Sequence, residues 1–279
     1  MIPEALRARI SFLDVWKKWQ SRAVRSLRKR GFGGTITFAT RLAKGFLLQR
    51  WVQYGRSNPW RRYLDRRFDR RFAVDTAGIL CLPELQSNHR FQHSNHYEPT
   101  NSSVFARALR QLAVDYRKFV FIDLGCGKGK ALLLASDWPF RQVIGVELSP
   151  ILLEIAERNI ATYRGKKEGC REFRLVCADA CSYELPPDNA VLFFFNPFKE
   201  PTLREVLENV GRSVAQCPRE VFIIYEYPVL CRMTDALPFL SLVRESPWYR
   251  IYKVVRCAEE HSVFLNRPDA EAQSTEVAG

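Results

Sequence analysis

The sequence predicts an α/β protein with a mostly parallel sheet, on three observations. Residues 119–130 read Phe-Val-Phe-Ile-Asp-Leu-Gly-Cys-Gly-Lys-Gly-Lys, an apolar run of strand length followed by glycines at alternate positions. Ala131-Leu-Leu-Leu-Ala then opens a helical pattern, so strand, glycine turn and helix form the first unit of a nucleotide-binding α/β fold. From 119 onward strand-like and helix-like segments alternate, which argues a parallel sheet. At 279 residues and 47% hydrophobic, the chain has room for one such domain plus an extension, and it can bury a sizeable core.

The elements follow in order. Residues 4–30 read as an amphipathic helix, with Leu6, Ile10, Leu13, Trp16, Val24 and Leu27 near one face, and Gly31 stops it. After Gly33-Gly34, residues 36–54 are again helical in pattern, with Leu42, Phe46 and Leu47 in register. Trp60 to Phe72 is a dense basic-aromatic stretch, and 75–103 is loop-like, with Gly78, Pro83 and Pro99 among several Asn and Ser. Ser103 to Leu112 reads as a helix leading into the first strand, Phe119–Leu124, whose own helix is expected at about 129–137. A second strand over Val143–Glu147 precedes a helix from Pro150 to about Tyr163, with proline in its first turn. Phe173–Cys177 and Ala190–Phe195 are the third and fourth strands, and a helix spans about Pro201 to Ala215. The fifth strand is Val221–Tyr225, followed by a short helix near 229–237 and two strands near 240–245 and 249–256, close enough to pair as an antiparallel hairpin. The tail after about 266 is polar, small and acidic, and is expected to be disordered. The chain thus divides into a basic helical extension (1–74), a linker and entry helix (75–118), an α/β domain (119–266) and a tail (267–279).

The glycine spacing narrows the ligand. A dinucleotide fingerprint places its third glycine where this chain has Lys130; here the pattern is Gly125-x-Gly127-x-Gly129, with Asp123 two residues ahead of it. A carboxylate beside the loop repels a pyrophosphate and suits a cationic ligand. Further on, the second strand ends at Glu147, positioned to accept both hydroxyls of a ribose or to face water as a plain strand end. The third strand runs into Asp179-Ala180, a ligand contact or a helix cap. The fourth ends Phe195-Asn196-Pro197-Phe198, at the sheet edge where open α/β sheets bind ligands, or as a simple turn. The fifth leads to Glu226, a candidate general base or a solvated strand end.

In this order and spacing, these motifs resemble those of the class I S-adenosylmethionine-dependent methyltransferases over about residues 97–256. The resemblance implies a Rossmann-like α/β/α sandwich with a seven-stranded sheet and a C-terminal antiparallel hairpin. It implies that Asp123, Gly125, Gly127 and Gly129 wrap the methionine end of S-adenosyl-L-methionine, that Glu147 clamps its ribose, and that Asp179, with Ala180 beside it, accepts from the adenine amino group. Asn196 corresponds to the motif whose fullest form, in amino- and amide-methylating enzymes, is Asp/Asn-Pro-Pro-aromatic; here the second proline is missing and Phe198 follows Pro197 directly. The segment before the first strand usually covers the cofactor in this fold, which makes Tyr97 the preferred lid residue; an ordinary surface loop is the other reading of this segment. An amine acceptor must lose a proton, and Glu226, Tyr97 or solvent would take it. Tyr-x-Pro before strand one, Gly-Val-Glu in strand two and the Asn-aromatic end of strand four are faintly similar to the seven-strand histone-lysine methyltransferases, which implies a protein amine as acceptor; a small molecule is the other expectation.

Charge is unevenly spread. Residues 1–72 hold 19 Lys and Arg against 4 Asp and Glu, whereas the remainder holds 24 against 26. The stretch 60–72 is therefore either a surface for nucleic acid or an anionic membrane, or a solvated helix whose aromatics dock on the α/β domain. No run reaches the apolar length of a membrane span, the start lacks the layout of a secretory signal, and eight cysteines without a Cys-x-x-Cys pair suit a reduced, cytoplasmic protein. His89, His93 and His96 would share a face of a continuous helix, but Asn88, Ser94, Asn95 and Pro99 interrupt it, so no metal is expected. Two other classes compete with the transferase: a non-catalytic module of this fold that binds anions through its basic arm, and a nicotinamide-dependent oxidoreductase, which the glycine spacing opposes.

Overall fold

A computed structural model of the protein describes residues 59–80, 96–165 and 168–256. The expected helices within 4–54, the histidines at 89 and 93 and the tail after 266 lie outside the described residues. The compact unit begins at Pro59, so the basic-aromatic stretch, which sequence assigns to the extension, belongs to the same unit as the sheet.

Seven strands form one sheet in the order β3-β2-β1-β4-β5-β7-β6, made of β1 (Val120–Leu124), β2 (Gln142–Glu147), β3 (Phe173–Cys177), β4 (Ala190–Phe195), β5 (Val221–Glu226), β6 (Leu240–Glu245) and β7 (Tyr249–Val254). The first five pair in parallel; β7 runs antiparallel to β5 and to β6. The inner strands β1, β4 and β5 are mainly apolar and buried along almost their whole length because helices cover both their faces. Edge strand β6 is exposed from Ser241 to Glu245 and carries charge and a bulge between Leu242 and Arg244, features that discourage further pairing.

Six helices accompany the sheet among the described residues: α1 (Pro59–Phe72), α2 (Ser102–Gln111), α3 (Lys130–Ala135), α4 (Pro150–Thr162), α5 (Glu200–Gln216) and α6 (Cys231–Thr234). One core joins Ile122, Ile144, Leu192 and Ile223 to Leu203, Val206 and Leu207 of α5. The other joins Phe121, Val143, Phe193 and Ile224 to Phe105 and Leu109 of α2 and Leu132 of α3. Local signals set the ends: the Asn101 side chain accepts from the Ser103 and Val104 amides to start α2, and Ser149 with Pro150 starts α4.

Sequence and structure differ by a few residues, each for a local reason. Phe119 closes a 3₁₀ turn onto the Tyr116 carbonyl, so β1 starts at Val120. Gly129 is left-handed (φ 81°) and caps α3 instead of joining it. Pro238 disfavours helix at the residue before it, and α6 ends at Thr234. The strand order reverses between β1 and β4, which opens a crevice at their carboxyl ends, the position where such sheets bind ligands.

Candidate active site

The crevice holds a cavity of about 400 Å³. Its floor is the glycine turn after β1. The amides of Gly125 and Cys126 both donate to the Val146 carbonyl at 2.9 and 3.0 Å, and the Gly129 amide to the Cys126 carbonyl at 2.8 Å, which folds the turn tightly against β2. All three glycines have positive φ. A Cβ on Gly127 would collide with the Tyr97 ring, and one on Gly125 would sit 2.8 Å from Cβ of Pro197. The bare backbone thus lets two walls of the cavity close in.

Glu147 and Asp123 line the cavity and are almost fully buried. The Glu147 carboxylate accepts from the Gly127 amide and from the Ser149 amide, both at 2.9 Å, so it ties the glycine turn to the start of α4. Burial raises its pKa, and those amide bonds oppose the rise. Asp123 is raised well above its ordinary range by burial and then by the charges of Glu147 and Glu226. Asp179 lines the far side, where it accepts from the Cys181 amide at 3.0 Å, with Ala180 next to it in the wall.

Tyr97 lies over the glycine turn. Its hydroxyl donates to the Thr76 carbonyl at 2.6 Å, and the Lys128 ammonium sits 5.8 Å from the ring centroid. Burial, reinforced by Asp69, Asp65 and Asp75, pushes its pKa well up, so the phenol stays protonated. His96 lines the cavity beside it.

Asn196 and Glu226 do not reach the wall. Asn196 has a positive φ of 44°, and its side-chain oxygen accepts from the Tyr225 hydroxyl at 3.0 Å; its neighbours Phe195, Pro197 and Phe198 line the cavity instead. Glu226 is buried behind Thr100. Thr100 lines the cavity, its hydroxyl donates to one Glu226 oxygen, and the Asn101 amide reaches the other at 3.3 Å. Burial raises the Glu226 pKa to about 7, against the opposing effects of Thr100, Arg61, Asn101 and Lys130.

Docking of the α1 aromatics on the α/β domain, one of the two readings of this stretch, is what the structure shows, but the polar partners of α1 were not named from sequence. Arg61 pairs with Glu98 at 3.3 Å, donates to the Pro99 carbonyl at 2.8 Å, and stands 5.4 Å over the Phe195 ring. Asp65 is buried against the Lys130 ammonium, and Asp69 accepts from the Thr76 amide and hydroxyl and the Ala77 amide at 2.6–2.9 Å. Phe68 and Phe72 pack on Tyr163 of the segment after α4. Positions 61, 65, 68, 69 and 72 share one helical face, a pattern present in the sequence; their partners are too far along the chain to be read there.

These features fit S-adenosylmethionine. The turn is a cradle that a Cβ would fill, the carboxylates of Asp123, Glu147 and Asp179 suit an ammonium, ribose hydroxyls and an adenine amino group, and the Lys130 cation that would favour phosphate is committed to Asp65.

Residues 121–216 match a family model described as "Methyltransferase domain". No curated protein matches the chain. Among solved structures, the chain is similar to precorrin-6y C5,15-methyltransferase from Geobacter metallireducens (19% identity over 57% of this chain and 90% of that one, TM-score 0.41). It is also similar to the ribosomal protein L11 methylase of Lactobacillus delbrueckii subsp. bulgaricus (14%, 56% and 78%, TM-score 0.37), and to the 23S rRNA methyltransferase ErmE (14%, 58% and 70%, TM-score 0.40). Residues 121–216, which carry the glycine turn and the acidic ends of β2 and β3, thus match a methyltransferase domain, and the cavity they line fits S-adenosylmethionine as methyl donor.

Proposed function

We propose that the chain methylates a nitrogen acceptor, an amine or a planar amino group, presented at the carboxyl end of β4. The observation that carries this reading is the composition of the cavity wall. Beyond the cofactor-facing carboxylates it is lined by Phe195, Pro197 and Phe198, with the Glu98–Arg61 ion pair beside them and Lys130 neutralised by Asp65. Aromatic faces and carboxylates favour a cationic or planar nitrogen group and disfavour a carboxylate acceptor. A protein amine, as the faint likeness to the histone-lysine enzymes implies, belongs to this class.

Bound S-adenosylmethionine supplies a methyl group already activated by its sulfonium. The chain's own residues then have two tasks: to align the acceptor with that methyl group while water is kept out, and to receive the acceptor's proton. Tyr97 and the 96–100 segment close the cavity over the glycine turn. Phe195 and Phe198 orient the acceptor. For the proton we assign a relay: the acceptor gives its proton to the Thr100 oxygen as the Thr100 hydroxyl proton passes to Glu226, whose pKa of about 7 suits a base at neutral pH. Asn196, bonded to Tyr225, positions the turn that carries the aromatic pair.

The test is transfer of labelled methyl from S-adenosylmethionine into fractionated cell extract, with the product treated with alkali. Alkali-stable label in protein amines or nucleobases is expected; label released as methanol, the signature of a carboxyl ester, would contradict a nitrogen acceptor. In the purified reaction, Glu226→Gln should lower kcat about 100-fold or more and abolish its rise near pH 7, with cofactor affinity kept. An unchanged pH profile would remove the relay.

A further inference from the structure

We infer that the outer face of α1 is a binding surface for single-stranded nucleic acid, which carries the acceptor nitrogen to the Phe195 end of the cavity. The helix is divided by charge. Both of its acids are used inward, Asp65 on Lys130 and Asp69 on Thr76 and Ala77. The outward face carries five exposed arginines and no acid of this helix: Arg62, Arg66, Arg67, Arg70 and Arg71. Among them, Trp60 and Tyr63 stack with ring centroids 5.2 Å apart and interplanar angle 25°, and they are 63% and 44% exposed.

Large aromatic rings at the surface beside a row of arginines match the chemistry of unpaired nucleotides, whose bases stack while their phosphates pair with guanidinium groups. A duplex keeps its bases stacked inside and would leave the rings without that contact. An anionic membrane needs a broad apolar face to bury, and Leu64 is the one exposed aliphatic side chain of α1. The surface is also continuous with the site: Arg61, on the same helix, holds the Pro99 carbonyl and covers Phe195, both in the cavity wall. Phosphates kept on α1 would let a base nitrogen enter a cavity whose own walls are acidic and aromatic. This inference rests on the nitrogen-acceptor reading for its functional sense, but it is tested by binding, so its failure would leave methyl transfer standing.

The experiment is fluorescence anisotropy of the full chain with a labelled single-stranded oligonucleotide of mixed sequence, the matching duplex, and phosphatidylglycerol vesicles, across a salt series. The wild type should prefer the single strand. The triple variant Arg66→Ala, Arg67→Ala, Arg70→Ala should bind it at least about tenfold more weakly at low salt, with the salt slope reduced by about 2. Tyr63→Ala should weaken binding about fivefold or more with the slope unchanged, as loss of a stacking platform requires. Both variants should keep wild-type affinity for S-adenosylmethionine, which shows that the fold is intact. Wild-type oligonucleotide affinity in the triple variant, absence of single-strand binding by the wild type, or binding to vesicles in preference to the single strand would each overturn the inference.

Discussion

Glu147 holds two places at once. Its carboxylate fastens Gly127 to Ser149 and faces the cavity in which the ribose of the cofactor is expected. Replacing it with alanine removes a charged acceptor and leaves two buried amides unpaired, so S-adenosylmethionine affinity should fall about 10- to 100-fold in a calorimetric titration; unchanged affinity would remove the ribose assignment. Glu226 makes a different prediction. Its pKa rises from 4.5 to about 7 on folding, so between those values the folded state holds a proton that the unfolded state has lost. Stability should therefore fall as pH rises from about 4.5 to about 7 and level off above, by an amount on the order of 3 kcal/mol for this one group. Thermal unfolding of Glu226→Gln across that window should show a flatter profile than the wild type. An equal loss in both would place the titration elsewhere.

The elements explain how an Arg-rich helix comes to lie on an active site. The inner face of α1 supplies Arg61 to the lid, Asp65 to α3 and Asp69 to the loop that anchors Tyr97 through Thr76. Asp65 is the anchor, because Lys130 is buried and its pKa is lowered by burial, with Asp65 opposing that effect. Asp65→Ala would strand that ammonium, a change that typically costs about 3–5 kcal/mol and should lower Tm by about 10 °C. A shift within one or two degrees would mean that α1 is only loosely attached. This docking shows what the sequence could and could not tell. Strands β3 and β4 were legible to the residue, because apolar runs bounded by turn residues fix both ends. The glycine turn, Glu147 and Asp179 were legible because a local motif sets their geometry. Thr100 on Glu226 and Lys130 on Asp65 were not, since those partners are 126 and 65 positions apart and only the tertiary fold brings them together. Asn196 marks a second limit: the motif locates the turn, but the positive φ there decides that its side chain meets Tyr225 and the flanking aromatics take the cavity.

Across the whole molecule, charge and chemistry are separated. The basic excess lies in residues 1–72, and the domain that follows is nearly neutral, with an acidic and aromatic cavity. A cationic cofactor is favoured inside it, and the Arg61 contacts join its wall to α1. Gly127 is the point where this arrangement is most exposed to change, since any Cβ there meets Tyr97 at a backbone φ that favours glycine. Gly127→Ala should displace the lid residue and lose most cofactor binding, at a cost to the fold of about 1–2 kcal/mol.

Every role given to the site depends on the cavity taking S-adenosylmethionine. The decisive measurement is calorimetric titration of the purified chain with S-adenosylmethionine, with its demethylated product and with NAD. Saturable binding of the first two at one site per chain is expected, with no heat from NAD and loss of the signal in Gly127→Ala. Binding of NAD, or of neither methionine-derived ligand, would contradict it.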